Sequence, residues 1–279
     1  MMEASMERLA VLRTAPVSAW FGIIVILGYI FVALFAPWIA PFGEHEIVGD
    51  QYQLWDSTHL LGTDNLGRDM LSRILFGARN TIGIALSATV ITFIIGVVFG
   101  LLAATLGGIV DQVLSRIVDV MMAIPLFIAA LLLLTIVGTS IFNMVAVIAI
   151  LEATRVYRLT RAVAKDVVVL DFIESARLRG EKLPYLLRSE ILPNITAPLA
   201  AEFGLRFCFV FLLIAALSFL GLGIQPPTAD WGSMVRENSS LITFGDITPL
   251  LPAAAIGLLT IAVNFVVDWM LFRASGLQD

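Results

Sequence analysis

Charge is what this sequence has least of. Only 14% of its 279 residues are Asp, Glu, Lys or Arg, against about a quarter in an average soluble domain. Hydrophobic residues make up 59%, and they come in long uninterrupted runs, so the solvent for most of the chain is lipid. Cysteine is nearly absent. Cys208 stands alone in an apolar run, so it forms no intrachain disulfide and reads as a buried, inert thiol. No GxxxxGK[ST] pattern occurs, which removes the phosphate cradle of an NTP-hydrolysing site. The net charge of −5 argues against nucleic acid as a partner. Gly43-Glu44-His45-Glu46 offers two acids and one histidine in a loop, short of a committed metal-ligand set. The chain is expected to bind no cofactor or metal of its own and to catalyse nothing.

What is present is a series of spans. A polar segment, residues 1–16, carries Arg8 and Arg13 and precedes the first apolar run, whose core is 17–35. That run is longer than the apolar part of a cleavable signal peptide, so it is an uncleaved span, ended by Pro37 and Pro41. A mixed polar stretch leads to residue 79. The uncharged run 80–110 makes a second helix, with Gly96, Gly100 and Ala104 as a small-residue stripe that lets another helix approach. The next uncharged run, 120–151, is 32 residues long. As one helix it would measure about 48 Å against a hydrocarbon core of about 30 Å, so it breaks at Gly138-Thr139-Ser140. A third span, 117–137, is kinked near Pro125, and a fourth runs from about 141 to 158. The fifth covers 199–223 and the sixth 249–269. The prediction is an all-α membrane protein with six transmembrane helices: segment 1–16, a first helix and outer stretch 17–79, and a five-helix core 80–272.

Orientation follows from Lys and Arg. With six spans, twelve of them fall on the side holding both termini and the charged loop, and four on the other, with Arg206 counted as intramembrane. That excess puts both termini and the loop in the cytoplasm. Nine acids lie on the outer side, which is therefore the acidic face.

The charged loop, residues 159–198, is the polar island of the chain. Its pattern predicts one short helix over 166–179, stopped at Gly180, and a second beginning near Pro184 and ending before Pro193. Phe172, Ala176 and Leu178 beside Glu174, Arg177 and Arg179 make a helix of small apolar knobs among charges, suited to a groove on a protein. Within the spans, Glu152 and Arg155 lie three apart and Glu202 and Arg206 four apart. Charges in a membrane are expensive unless paired, so these pairs line a solute path or stabilise a gate near the cytoplasmic ends of their helices.

Glu174-Ser175-Ala176, three residues, Gly180, and then Ile191-Leu192-Pro193 resembles the EAA loop of binding-protein-dependent ABC transporter permeases. Ser175 replaces the usual second alanine, and Glu190 stands where the pattern has isoleucine. Residues 59–69, with Ser72-Arg73 and Gly77-Ala78-Arg79, resemble the segment before the second helix in C-type subunits for dipeptides, oligopeptides and nickel. Read physically, Thr63 or Asp64 caps a helix there, Asp64/Arg68 and Asp69/Arg73 are i,i+4 pairs, and Leu66, Met70, Ile74 and Leu75 form an apolar stripe. Residues 217–223, Pro226-Pro227, Asp230-Trp231-Gly232, Val263-Asn264-Phe265 and Asp268-Trp269 are similar to later parts of the same subunits.

The resemblance implies a type I ABC importer permease fold and a subunit of the bacterial inner membrane that pairs with a homologous second permease. Two cytoplasmic ATPase subunits would bind the ATP and Mg, and a periplasmic substrate-binding protein would deliver solute. Phe172, Glu174, Ser175, Ala176, Arg177, Gly180, Leu192 and Pro193 would couple the loop to an ATPase. Di- or oligopeptides are the expected cargo; nickel chelates, opines, glutathione and oligosaccharides are the alternatives. The competing class is an ion-gradient-driven secondary transporter, which should show inverted repeats and midplane ionisable residues.

Overall fold

The computed structural model describes residues 15–274. The expected segment 1–16, with Arg8 and Arg13, lies almost wholly outside the described residues, as do both chain ends. The described chain is helix, turn and loop, apart from two isolated bridges, Ile47 with Arg68 and Thr63 with Asp69. Helix α1 (Val17–Ile39) is the first apolar run; it passes through Pro37 and stops short of Pro41. Helix α2 (Met70–Leu106) starts well before the uncharged run, because Asp69 caps it. The Asp69 carboxylate accepts the Ser72 backbone N–H at 2.7 Å. Thr63 and Asp64 therefore cap no helix; Asp64 instead accepts the Leu66 and Arg68 backbone N–H groups at 2.8 and 3.0 Å. They sit in a non-helical loop, and Leu66 does not continue the apolar face of Met70.

The expected third span is two helices, α3 (Gly108–Ala123) and α4 (Leu126–Val137), bent by 88° at Ile124-Pro125. The proline drives its predecessor out of the helical region, and Ile124 is extended at φ −90°, ψ 130°. The break at 138–140 forms as expected. Gly138 ends α4 at φ +91°, and the Ser140 hydroxyl caps α5 (Ile141–Val168) by accepting the Asn143 N–H at 3.1 Å. Helix α5 runs ten residues past the expected end, so Arg161 and Lys165 belong to the helix and not to the loop. Next come α6 (Asp171–Leu178), α7 (Leu183–Tyr185), a π-helical turn Leu186–Ile191 and α8 (Leu192–Asn194). The long helix α9 (Thr196–Phe219), the short α10 (Trp231–Asn238), a 3-10 turn Ser239–Phe244 and α11 (Leu250–Ala274) complete the chain.

By length and composition, four helices can cross a bilayer: α1, α2, α9 and α11 through Arg273. The bent pair α3–α4 makes a fifth if it counts as one span. Helix α5 has the length, 28 residues, but its loop-side half carries too many charges to qualify.

The helices meet where side chains are smallest. A Cβ on Gly96 would lie 2.5 Å from Cβ of Val156, and one on Gly100 would lie 2.7 Å from Cβ of Thr160. The stripe thus seats α2 against α5, by the small-residue packing that membranes favour. Helix α1 lies on α11, where Gly22 faces the Ala262 carbonyl and Tyr29 donates its hydroxyl to the Ala255 carbonyl at 3.0 Å. At one end of the bundle, α10 inserts Trp231 between α2 and α9. Its indole N–H donates to the Ile74 carbonyl at 3.0 Å, and its ring meets Tyr29 and Phe211 edge to face.

Overpacking the α2–α5 seam should cost about 1–3 kcal/mol. Gly96→Val is expected to lower the thermal unfolding midpoint of the purified complex, whereas Gly83→Val, on the same helix with open space around it, should leave it near wild type. Equal midpoints for the two variants would count against this packing.

Candidate functional site

The loop helix α6 is short and held from one side. Asp171 and Glu174 in its first turn and Arg177 in its last complement the helix dipole. Ile173 and Ala176 are fully buried. Ile173 belongs to one buried cluster with Leu101 of α2, Val167 of α5, and Ile191 and Ile195 of the second half of the loop. Phe172, Glu174, Ser175, Arg177 and Leu178 are exposed, Leu178 at 83%. The helix ends in a Schellman turn: Gly180, at φ +83°, donates to the Arg177 carbonyl at 2.9 Å, and Glu181 to the Ala176 carbonyl at 3.2 Å. Of the eight expected coupling residues, Ala176 is thus inward-facing and Leu192 half-buried, while the others lie at the surface. The first loop helix is shorter than expected, because residues 166–168 finish α5 and the chain turns at 169–170.

Pro193 does not end the second loop helix. It lies inside a continuous helical stretch whose preceding turn has widened to π form, with the Leu192 N–H reaching the Leu187 carbonyl. Proline lacks an N–H and its ring crowds the carbonyl four residues back; a π turn makes room for it.

The two intramembrane pairs are one network. The Glu152 carboxylate, fully buried, accepts Nη1 of Arg155 at 3.0 Å through Oε1 and Nη1 of Arg206 at 2.9 Å through Oε2. Nε of Arg206 is 2.7 Å from Oε1 of Glu202, and its guanidinium lies 4.6 Å above the Phe209 ring. These charges are not near the loop-side helix ends as expected. Glu152 is the twelfth residue of the 28 in α5, and Arg206 the eleventh of the 24 in α9, so the network sits mid-bundle. It joins α5 to α9 with each carboxylate oxygen of Glu152 satisfied, the condition for burying a charge in lipid surroundings.

A second buried network lies at the Trp231 end. Asp64 Oδ2 accepts Nε of Arg68 at 2.7 Å and has Nε of Arg73 at 3.2 Å. Glu237 of α10 lies 3.3 Å from Arg68 and 3.6 Å from Arg73. Both arginine side chains are at most 3% exposed. The expected Asp69/Arg73 pair does not form, since Asp69 is used as the α2 cap. Glu44 accepts from the Asn80 amide at 2.9 Å and from the Ala229 N–H, which ties the stretch before α2 to the one after α9. Asp230, wholly buried, caps α10 through the Ser233 N–H and receives the Thr81 hydroxyl, both at 2.9 Å. Burial pushes its carboxyl above the usual range, against the pull of those hydrogen bonds. Sequence spacing pointed to Asp64/Arg68; Glu237 and Glu44 reach partners more than thirty residues away and had no local signal. Among the described residues, no cluster of His, Cys, Asp and Glu could hold a metal ion.

Comparison with known proteins gives this arrangement a family. Residues 96–273 match the family described as binding-protein-dependent transport system inner membrane component. The chain belongs to that family. Residues 17–59 match the N-terminal TM domain of oligopeptide transport permease C. The chain is 37% identical over 265 residues to the di/tripeptide transport system permease protein DppC of Pseudomonas aeruginosa, covering 92% of this chain and 85% of that one. It is 34% identical over 260 residues to the peptide transport system permease protein SapC of Escherichia coli, with 90% and 87% covered. With the glutathione transport system permease protein GsiD of Pectobacterium atrosepticum it shares 34% identity over 261 residues, with 92% and 84% covered.

This inner membrane component holds its polar groups at three levels: the loop at one end, the Asp64–Glu237 network at the other, and Glu152 between them. Removing the shared acceptor should tell most. Glu152→Ala leaves Arg155 without its carboxylate and Arg206 with Glu202 alone, at an expected cost of about 3 kcal/mol. The check is the thermal midpoint of the purified protein, with Glu152→Gln, which keeps an acceptor, expected between Glu152→Ala and wild type. A Glu152→Ala midpoint equal to wild type would show that the network stabilises nothing.

Proposed function

We propose that this chain is the C-type permease subunit of an ATP-driven importer of di- or oligopeptides, forming half of the translocation path. A homologous second permease supplies the other half, two cytoplasmic ATPase subunits bind ATP and Mg, and a periplasmic binding protein delivers the solute. The chain crosses the inner membrane six times, with α3–α4 counted as one crossing and α5 as another, and with both termini and α6 in the cytoplasm. Peptide cargo is supported by the names of relatives that align along most of the chain.

The observation that carries the reading is the posture of α6. Ile173 and Ala176 anchor it to the bundle, and Phe172 and Leu178 stand exposed on a charged loop outside the apolar spans. An apolar knob in that position suits a groove on a partner. The same anchor would pass a push on α6 to α2 and α5 through Ile173. Closure of the ATPase pair would then tilt α5 and α9, which are joined by Glu152 and Arg206.

The test is solute uptake by vesicles that contain the four membrane and ATPase subunits, with binding protein outside, ATP inside and every ion gradient collapsed. Peptide uptake should persist and should stop without ATP; uptake that follows the gradient and ignores ATP would sink the proposal. Gly180→Pro forces φ to about −65° where the turn needs a positive value, and Glu174→Lys reverses a first-turn charge. Each should uncouple ATP hydrolysis from uptake while leaving the chain inserted. Wild-type coupling in both variants would remove α6 from the mechanism.

A further inference from the structure

The α2–α5 seam fixes how α5 is turned. Ala153, Val156, Tyr157 and Thr160 face α2, where Gly96 and Gly100 meet them. At about 100° per residue, Arg155 then points to the opposite side of α5, together with Leu151 and Thr154. That side faces the bend between α3 and α4. A cavity of about 100 Å³ lies there, lined by Leu151, Thr154 and Arg155 with Met121, Met122 and Pro125 among the residues across from them.

Arg155 is unlike the other arginine of its network. Arg206 is buried, with Glu152 and Glu202 on its guanidinium. Arg155 uses Nη1 on Glu152 and keeps its side chain 39% exposed, with no other hydrogen bond or ion pair among the described residues. It lies 14 residues into α5, about 21 Å along a helix whose apolar surroundings span about 30 Å. A cation at that depth does not face lipid; it faces a protein surface or a water-filled path. Its free edge carries N–H donors in a fork that matches a carboxylate. The cavity has room for several water molecules, hence for one end group of a solute and not for a whole peptide.

We propose that Arg155 is the contact for the solute's carboxylate in this half of the path, with Glu152 as the residue that holds its guanidinium in place. The proposal rests on the peptide-import reading: a peptide with a free C-terminus brings a carboxylate, and Arg155 is a half-exposed cation that lines the cavity at that depth. Met121 and Met122, flexible and polarizable, would accommodate side chains of varied shape beside the fixed charge.

The test uses the complete reconstituted importer with saturating binding protein and measures ATP hydrolysed per peptide imported, for a dipeptide and for its C-terminal amide. Losing a charge-assisted contact should raise that ratio roughly tenfold for the free acid in Arg155→Gln and leave it unchanged for the amide. Arg155→Lys keeps a charge opposite Glu152 but loses the fork, so its ratio for the acid should rise by less. Arg116→Gln, which removes an exposed cation of α3 outside the cavity, should match wild type for both solutes. Three results would overturn the proposal: a wild-type ratio in both Arg155→Gln and Arg155→Lys, an equal rise for acid and amide, or loss of the second permease on purifying Arg155→Gln. The last would make Arg155 an intersubunit ion pair. A wild-type complex that imports no peptide with ATP would instead overturn the peptide-import reading beneath it.

Discussion

The close approach of α2 and α5 is the constraint from which the rest of this bundle follows. Lipid tails are as apolar as leucine, so helices in a membrane gain little by hiding hydrophobic surface from each other. They associate where backbones can come near. Gly96 and Gly100 provide that place, and the side chains of Val156 and Thr160 occupy the space their missing Cβ atoms leave. Once α5 is seated there, its rotation is set. Glu152 then reaches Arg206 on α9, and Arg155 turns toward the α3–α4 bend.

Charge follows packing and then reinforces it. A carboxylate taken out of water costs several kcal/mol unless its oxygens are satisfied. Glu152 meets that condition with two guanidinium groups drawn from its own helix and from α9. The cluster of Asp64, Arg68, Arg73 and Glu237 does the same at the far end, where it holds the loop before α2 to α10. Between these two levels the protein spends apolar and small residues. At the loop end it leaves Phe172 and Leu178 uncovered. An inner membrane component that works with partners needs both properties: a rigid connection through the bundle and an exposed handle.

Much of this was legible in the residue order, and the failures have physical causes. Gly138 and Ser140 broke an apolar run too long for one helix, and the structure breaks there with a positive φ and a serine cap. Gly180 ended the loop helix as its lack of a side chain suggests. Asp64 and Asp69 were harder. Both are good caps by residue type and both accept backbone N–H groups, but only Asp69 does so at the start of a helix. Pro125 was read as a kink and is a sharp bend, because nothing in the sequence states whether the two halves share an axis. Pro193 was read as a stop, yet a π turn absorbs it.

The sequence by itself determined the solvent of this chain, its helical class, the places where apolar runs must break, and the family its short motifs resemble. Those features depend on local composition and on spacing along one helix, which residue order states directly. Tertiary structure alone decided which charges meet across separate elements. Glu152 and Arg206 are 54 positions apart, and Arg68 and Glu237 are 169 apart. Their pairing depends on the rotation and depth of separate helices, quantities set by glycine contacts that no single stretch of sequence contains. The same rotation leaves Arg155 with one partner and an open side, in the middle of a protein that otherwise keeps so few charges.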